Sequence, residues 1–170
     1  VLAFFALKMQ GEGIAKKQAE LNEKLLRIGV DIQSIQFKAN YLSGHPDIDN
    51  SHSGVSALFE NGKLALWLIP DFTKFESFNP TQLGYISTDS INNIVVEDKT
   101  TIEKRVTVGR LLLTGVFALA WKKKRVDEAA YVVIEWNDGR FDHETVFEFT
   151  GKGSMQEANA ARNKIIKAVK

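Results

Sequence analysis

Seven cations fall within the 22 residues from Lys104 to Arg125: Lys104, Arg105, Arg110, Lys122, Lys123, Lys124 and Arg125. Charge at that density can hold an anionic surface, either lipid headgroups or an acidic protein, and each well-placed cation gives about 1 kcal/mol near an anionic membrane. The bland alternative is a solvated rim that ends strands and keeps sheet edges from pairing. If the strands that carry the two groups pair, the seven charges form one patch.

A second concentration of reactive side chains is His45, Asp47, Asp49 and His52, four potential ligands in one short loop. Imidazole and carboxylate suit zinc or a similar ion. Turn chemistry alone explains this loop, however, because SGHPDIDNSHS from Ser43 to Ser53 is dense in Gly, Pro, Asp, Asn and Ser. No matching ligand pair stands elsewhere, so neither a metal nor another cofactor is expected. Catalytic constellations are also missing. The chain has 3 His, and His143 lies in a hairpin loop between Asp142 and Glu144, where a solvated acidic tip explains it. There is no Gly-Xaa-Ser-Xaa-Gly and no phosphate-loop motif, and Gly11-Glu12-Gly13 is too short to cradle a phosphate. The expectation is a protein that is not an enzyme. Trp67, Trp121 and Trp136 fall on expected strands, as core or sheet-face residues; with no base-edge readers, no nucleic-acid partner is expected.

Composition sets the frame for these candidates. The chain has 170 residues, 44% hydrophobic and 25% charged, which fits one globular domain with a substantial core. Lys and Arg total 22 against 21 Asp and Glu, so attraction to an anionic partner must come from a local patch. The absence of Cys fits a reducing compartment. Val1 to Leu7, VLAFFAL, lacks the basic leader and cleavage site of a secretory signal, and the longest apolar run, Leu111 to Trp121, is too short for a spanning helix. A cytoplasmic protein is expected, with peripheral membrane contact as its one route to a lipid surface.

The elements that must position these residues follow from pattern. Ile14, Leu21, Leu25 and Ile28 share a helical stripe that Gly29 ends. A loosely alternating strand follows, from Ile32 to Leu42. Asn61-Gly62 between Val55 to Glu60 and Lys63 to Ile69 is a strong hairpin signal. Pro70 ends that hairpin, and Asp71 to Gln82 reads as irregular. Short strands are then expected at Gly84 to Ser87, Ile91 to Glu97, Thr101 to Val108 and Phe117 to Trp121, and a second hairpin turns around Asn137-Asp138-Gly139. Ser154-Met155-Gln156-Glu157 reads as a capping box opening a helix whose Ala158, Ala161, Ile165 and Val169 share a face. The face of Leu111 to Trp121 is expected to pack on Ile165 and Val169.

From about Gly54 onward, YISTDSINNIVVEDKT, KRVTVGRLLLTGVFALAWKKK, AAYVVIEWNDG and the closing helix resemble bacterial pleckstrin-homology-like domains, and YLSGHPD at Tyr41 to Asp47 is similar to a lead-in of the same proteins. The resemblance covers about two thirds of the chain. It implies a mainly β (α+β) fold: a half-open barrel of about seven antiparallel strands, plugged by a C-terminal helix, with an additional N-terminal helix here. Residues 1–53 then form a helix and lead-in, and 54–170 the barrel domain. It also implies a binding or scaffolding module with no inherited active site. In relatives with known lipids the basic residues lie between the first two strands; that loop reads here as Asn61-Gly62 with only Lys63 beside it, so the inositol-phosphate site is not supported. The expected partner is an acidic protein or an anionic membrane face at the Lys104 to Arg125 patch. The competing expectation is a self-associating structural protein that uses its sheet edges and apolar N-terminal segment, with Val1 to Ile28 outside the barrel.

Overall fold

The computed structural model describes residues 13, 15–16, 19–69, 79–107 and 128–169. The expected strand at Phe117 to Trp121 and the apolar Val1 to Leu7 lie outside them. The chain runs through helix α1 (residues 19–27), a 3-10 turn (Ile32–Ser34), β1 (Ile35–Ser43), β2 (His52–Glu60), β3 (Lys63–Leu68), β4 (Thr81–Ser87), a 3-10 turn (Thr88–Ser90) and β5 (Ile91–Asp98). Helix α2 (Lys99–Thr107), β6 (Ala129–Asn137), β7 (Asp142–Thr150) and helix α3 (Ser154–Val169) follow.

Among the described residues seven strands pair antiparallel in one sheet of order β4-β3-β2-β1-β7-β6-β5. The edge strands β4 and β5 are consecutive in the chain, joined only by Thr88–Ser90. Laid flat, a sheet of this order would hold its edges about 29 Å apart, whereas the short connection reaches at most about 14 Å. The sheet must therefore roll until its edges meet at that corner. Ile86 of β4 and Ile94 of β5 accordingly share a core with Phe37, Val55, Leu66, Ile134 and Phe147, and Ile165 of α3 plugs it. Phe37 meets Phe147 edge-on at 5.6 Å between ring centroids, and each such buried side chain is worth about 1.5–3 kcal/mol.

Period-two alternation explains the strands whose two faces are both covered. Val132, Ile134 and Trp136 of β6 point into the roll, while Tyr131 and Val133 join an outer cluster with Leu42, Val146 and Ile102 of α2. On the other outer flank, Leu21 and Leu25 of α1 and Val30 pack on Leu58, Ala65 and Trp67 of β2 and β3. The N-terminal helix thus lies against the outside of the roll. The Asn61-Gly62 hairpin forms as expected, with φ of 48° and 74° between paired Glu60 and Lys63.

Several expectations are corrected. The strand read from Thr101 to Val108 is helix α2. Asp98 Oδ1 accepts the Thr101 amide at 2.7 Å, an N-terminal cap, and Ile102 and Val106, four apart, fit a helical stripe as well as an alternation. Ile102 is fully buried. Gly29 ends α1 by a Schellman pair, Val30 N–H to Leu25 O at 2.8 Å and Gly29 N–H to Leu26 O at 3.0 Å, which turns Val30 inward and leaves Ile28 exposed. Val169 is also exposed, because α3 runs beyond the roll it plugs, and the contact expected of it with Leu111 to Trp121 lies outside the described residues. The strand read as a lead-in, β1, is the middle strand, between β2 and β7, so the sheet begins well before residue 54. The loop between the first two strands is consequently residues 44–51, which contains no Lys or Arg, rather than Asn61-Gly62.

Candidate functional site

Lys104 is exposed on α2, and Arg105 follows it on the same helix with its side chain outside the described part. Arg110, Lys122, Lys123, Lys124 and Arg125 lie outside the described residues. The patch was to form by pairing of the strand that carried Lys104 and Arg105, and that strand is a helix. What the sheet does fix is where the segment is anchored. Asp98 pairs with Ala130 across β5 and β6, so the end of β5 and the start of β6 lie side by side at one end of the sheet. A cavity of about 420 Å³ opens there, bounded by Asp98, Lys99, Glu128, Lys152 and Ser154.

The candidate metal loop lies at the opposite end of the roll and is a plug. His45 is buried. Its Nδ1 accepts the Asp47 amide at 3.2 Å and its Nε2 lies 3.0 Å from Tyr85 O, so the proton sits on Nε2 and the ring is neutral. Burial lowers its pKa below the ordinary value, outweighing the carbonyl of Tyr85 and the Asp47 charge. The His45 amide donates to Tyr41 Oη at 2.9 Å, and Tyr41 Oη donates to Ile48 O at 3.4 Å; burial pushes the Tyr41 phenol up to about 12. Asp47 and Asp49 are exposed, and His52 belongs to β2, stacked loosely on Tyr41. Among the described residues no group of three or more His, Asp or Glu side chains gathers as a metal site.

The same end holds interactions that pattern reading missed. Trp136 lies between two imidazoles, its ring 5.3 Å from His45 and 4.5 Å from His143. Its Nε1 donates to Thr145 Oγ1 at 2.9 Å, and Thr145 Oγ1 donates to Gly44 O at 3.4 Å. His143 is not a loose acidic tip: its Nε2 is 2.8 Å from Asp138 Oδ2, a bond that holds the Asp138 carboxyl down at about 2. Only the repeated pairing of His with turn residues hinted at this in the sequence.

On the outer face, Glu97, Tyr131, Glu148 and Asn40 stand in one row across β5, β6, β7 and β1. Tyr131 Oη donates to Glu148 Oε1 at 3.3 Å and Asn40 Nδ2 to Glu148 Oε2 at 3.2 Å. Both Glu97 and Glu148 are buried, and burial together with Glu148 raises the Tyr131 pKa. The row is a polar seam beneath the flank that α2 covers. Among the described residues, no helix is long and apolar enough to cross a membrane. No protein-family model matches the chain, and neither a curated protein nor a solved structure does.

Proposed function

We propose that the protein is a non-catalytic binding module of the pleckstrin-homology-like type, and that its β5–β6 excursion docks on an anionic membrane surface. The observation that carries this reading is the Asp98 to Ala130 pairing, which brings both anchors of the 99–128 segment to one end of the roll. That excursion holds eight Lys and Arg against three Asp and Glu, a surplus of five. The whole chain has a surplus of one, so the remainder carries an excess of four acidic residues. The charge is therefore unevenly shared along the chain, with the positive surplus in this segment. The strand order, the rolled sheet and the closing helix support the pleckstrin-homology-like part of the reading.

An acidic protein face offers the same charge. The apolar run Leu111 to Trp121, enclosed by Arg110 and Lys122 to Arg125, favours lipid, because a bilayer interface takes cations and apolar side chains at different depths. Co-sedimentation with neutral phosphatidylcholine vesicles and with vesicles containing phosphatidylserine tests this. Binding is expected to the anionic vesicles alone and to weaken with salt as the screening length falls from about 10 Å at 0.1 M toward 3 Å at 1 M. Changing Lys122, Lys123, Lys124 and Arg125 to Ser removes about 1 kcal/mol per cation, up to roughly a thousandfold in partitioning. Equal sedimentation of wild type and variant, or salt-sensitive capture by an acidic protein without vesicle binding, overturns the lipid reading.

A further inference from the structure

The plug at residues 44–51 hangs on one residue, His45. Its ring reaches from the loop to the edge strand β4: Nδ1 accepts the Asp47 amide at 3.2 Å, and Nε2–H donates to Tyr85 O at 3.0 Å. The His45 carbonyl accepts the Ile48 amide at 3.2 Å, and the His45 amide donates to Tyr41 Oη at 2.9 Å. The ring has little room to turn. A Cβ on Gly84 would lie 2.8 Å from His45 Cε1 and 3.2 Å from Nδ1, so the polar edge of the imidazole rests against the β4 backbone. The Trp136 ring lies 5.3 Å away on another side. His45 is 5% exposed, so a charge placed on the ring is cut off from water.

We propose that His45 is an acid-operated latch: a proton on its ring releases the 44–51 plug and opens that end of the roll while the rest of the sheet stays folded. Nδ1 can accept from Asp47 only while it carries no proton. Adding one sets Nδ1–H against the Asp47 N–H, 3.2 Å away, and takes the acceptor from that amide. The same step puts a charge in a buried place, and the lowered pKa of His45 follows from that geometry. Around the ring, its own loop brings Asp47 and Asp49, β1 the Tyr41 phenol, β4 Tyr85, β6 the uncharged Trp136, β7 His143, and the β6–β7 turn Asp138. Asp47 favours the proton and His143 opposes it. Asp138 is already bonded to His143 at 2.8 Å, and Tyr41, pushed up to about 12, stays neutral throughout. Once the loop swings out, the imidazolium is hydrated and lies near the exposed Asp47 and Asp49. Opening uncovers Ile48 and breaks the bonds of one loop but no strand pairing, so it takes less free energy than unfolding.

The test is hydrogen exchange of the full chain, followed by NMR from about pH 7.5 to about pH 5, with protection corrected for the intrinsic exchange rate. Protection of the His45, Asp47 and Ile48 amides is expected to fall by up to about tenfold for each pH unit below about 6.5, until the folded pKa is reached. Amides of the β2–β3 hairpin are expected to keep theirs. Ring nitrogen shifts of wild-type His45 are expected to show the Nε2–H tautomer at neutral pH and to titrate in step with that loss. His45→Gln, whose amide can still donate to Tyr85 O and accept from Asp47, is expected to keep the plug protected at every pH. His143→Gln is expected to lose protection as wild type does. Three results overturn the latch: the same loss in His45→Gln as in wild type, no loss in His143→Gln, or an equal loss in the β2–β3 hairpin, which means global unfolding.

Discussion

At the end of the roll closed by residues 44–51, the Trp136 indole, the Thr145 hydroxyl, both His45 ring nitrogens and the Tyr41 phenol all have partners. At the opposite end, the Ser154 hydroxyl and the Met155 and Gln156 amides have none among the described residues. Both ends are built from Gly, Ser or Thr, and charged or aromatic side chains. The end richer in apparent ligands has spent His45 on its own fold and leaves Asp47 and Asp49 exposed. The end with plainer letters leaves the first amides of α3 open, as helix N-termini do. Reactive residue types do not by themselves mark a site: here they serve a plug, which itself leaves the buried Ser43 hydroxyl without a partner among the described residues.

Breaking the plug should have the largest effect. A Cβ on Gly44 would lie 1.7 Å from Glu144 O, and the backbone there has φ of 95°. Gly44→Ala is therefore expected to destabilise by about 3–5 kcal/mol, from overpacking against backbone together with a left-handed non-glycine residue. Urea denaturation measures this, and a loss below about 1 kcal/mol would mean that the loop is not wedged against β7. A smaller and more pointed comparison sets Thr145→Val beside Ser154→Ala. Valine strands the buried Trp136 indole N–H and should cost about 1–3 kcal/mol. The Ser154 change removes a hydroxyl that has no hydrogen bond among the described residues and should stay within about 0.5 kcal/mol. Equal losses from the two would erase the contrast between the ends.

The gentlest probe is pH. His45 is neutral in the fold with a lowered pKa, so the unfolded chain takes up its proton first as the pH falls. Its contribution is intact above the unfolded value, about 6.5, and is lost as the pH falls from there toward the folded value. The charges that act on it are Asp47 in its own loop, which favours protonation, and His143 across Trp136, which opposes it. Urea midpoints from about pH 7.5 down to about pH 5 should fall more steeply for wild type than for His45→Gln. Parallel curves would show that the buried imidazole does not govern this range.

Much of the scaffold was legible because it rests on local rules. The Asn61-Gly62 hairpin, the Gly29 stop, and the stripe of Leu21 and Leu25 each follow from the chain within a few residues. Misreadings arose where one local pattern serves two structures. Ile102, Lys104 and Val106 alternate, yet Ile102 and Val106 also fall one helical turn apart, and the bond from Asp98 that starts the helix leaves no mark on an alternation pattern. The centrality of β1 was hidden because its alternation is irregular at two bulges and its partner β7 lies far along the chain. Of the candidate sites, the metal-like loop was visible as letters, while its role as a plug depends on Tyr85, Trp136 and Thr145, which only the fold brings near. The capping box read at Ser154 and Glu157 does not form, because the Gly153 carbonyl takes the Glu157 amide.

The β1–β7 seam sets the order in which the protein can assemble. Strands β1 to β4 are neighbours in sequence and can form as a meander on local contacts, and β6 and β7 can close as a hairpin. Asn40 and Glu148, by contrast, meet across 108 residues. Such a closure carries a large loop-entropy cost and is slow relative to the hairpins. On the ribosome, β1 must wait with one side unpaired until β7 has emerged, so the middle strand of the finished sheet spends synthesis as an edge. That interval is when the chain is most exposed to wrong pairing, and a chaperone or a slow codon tract would have most influence there.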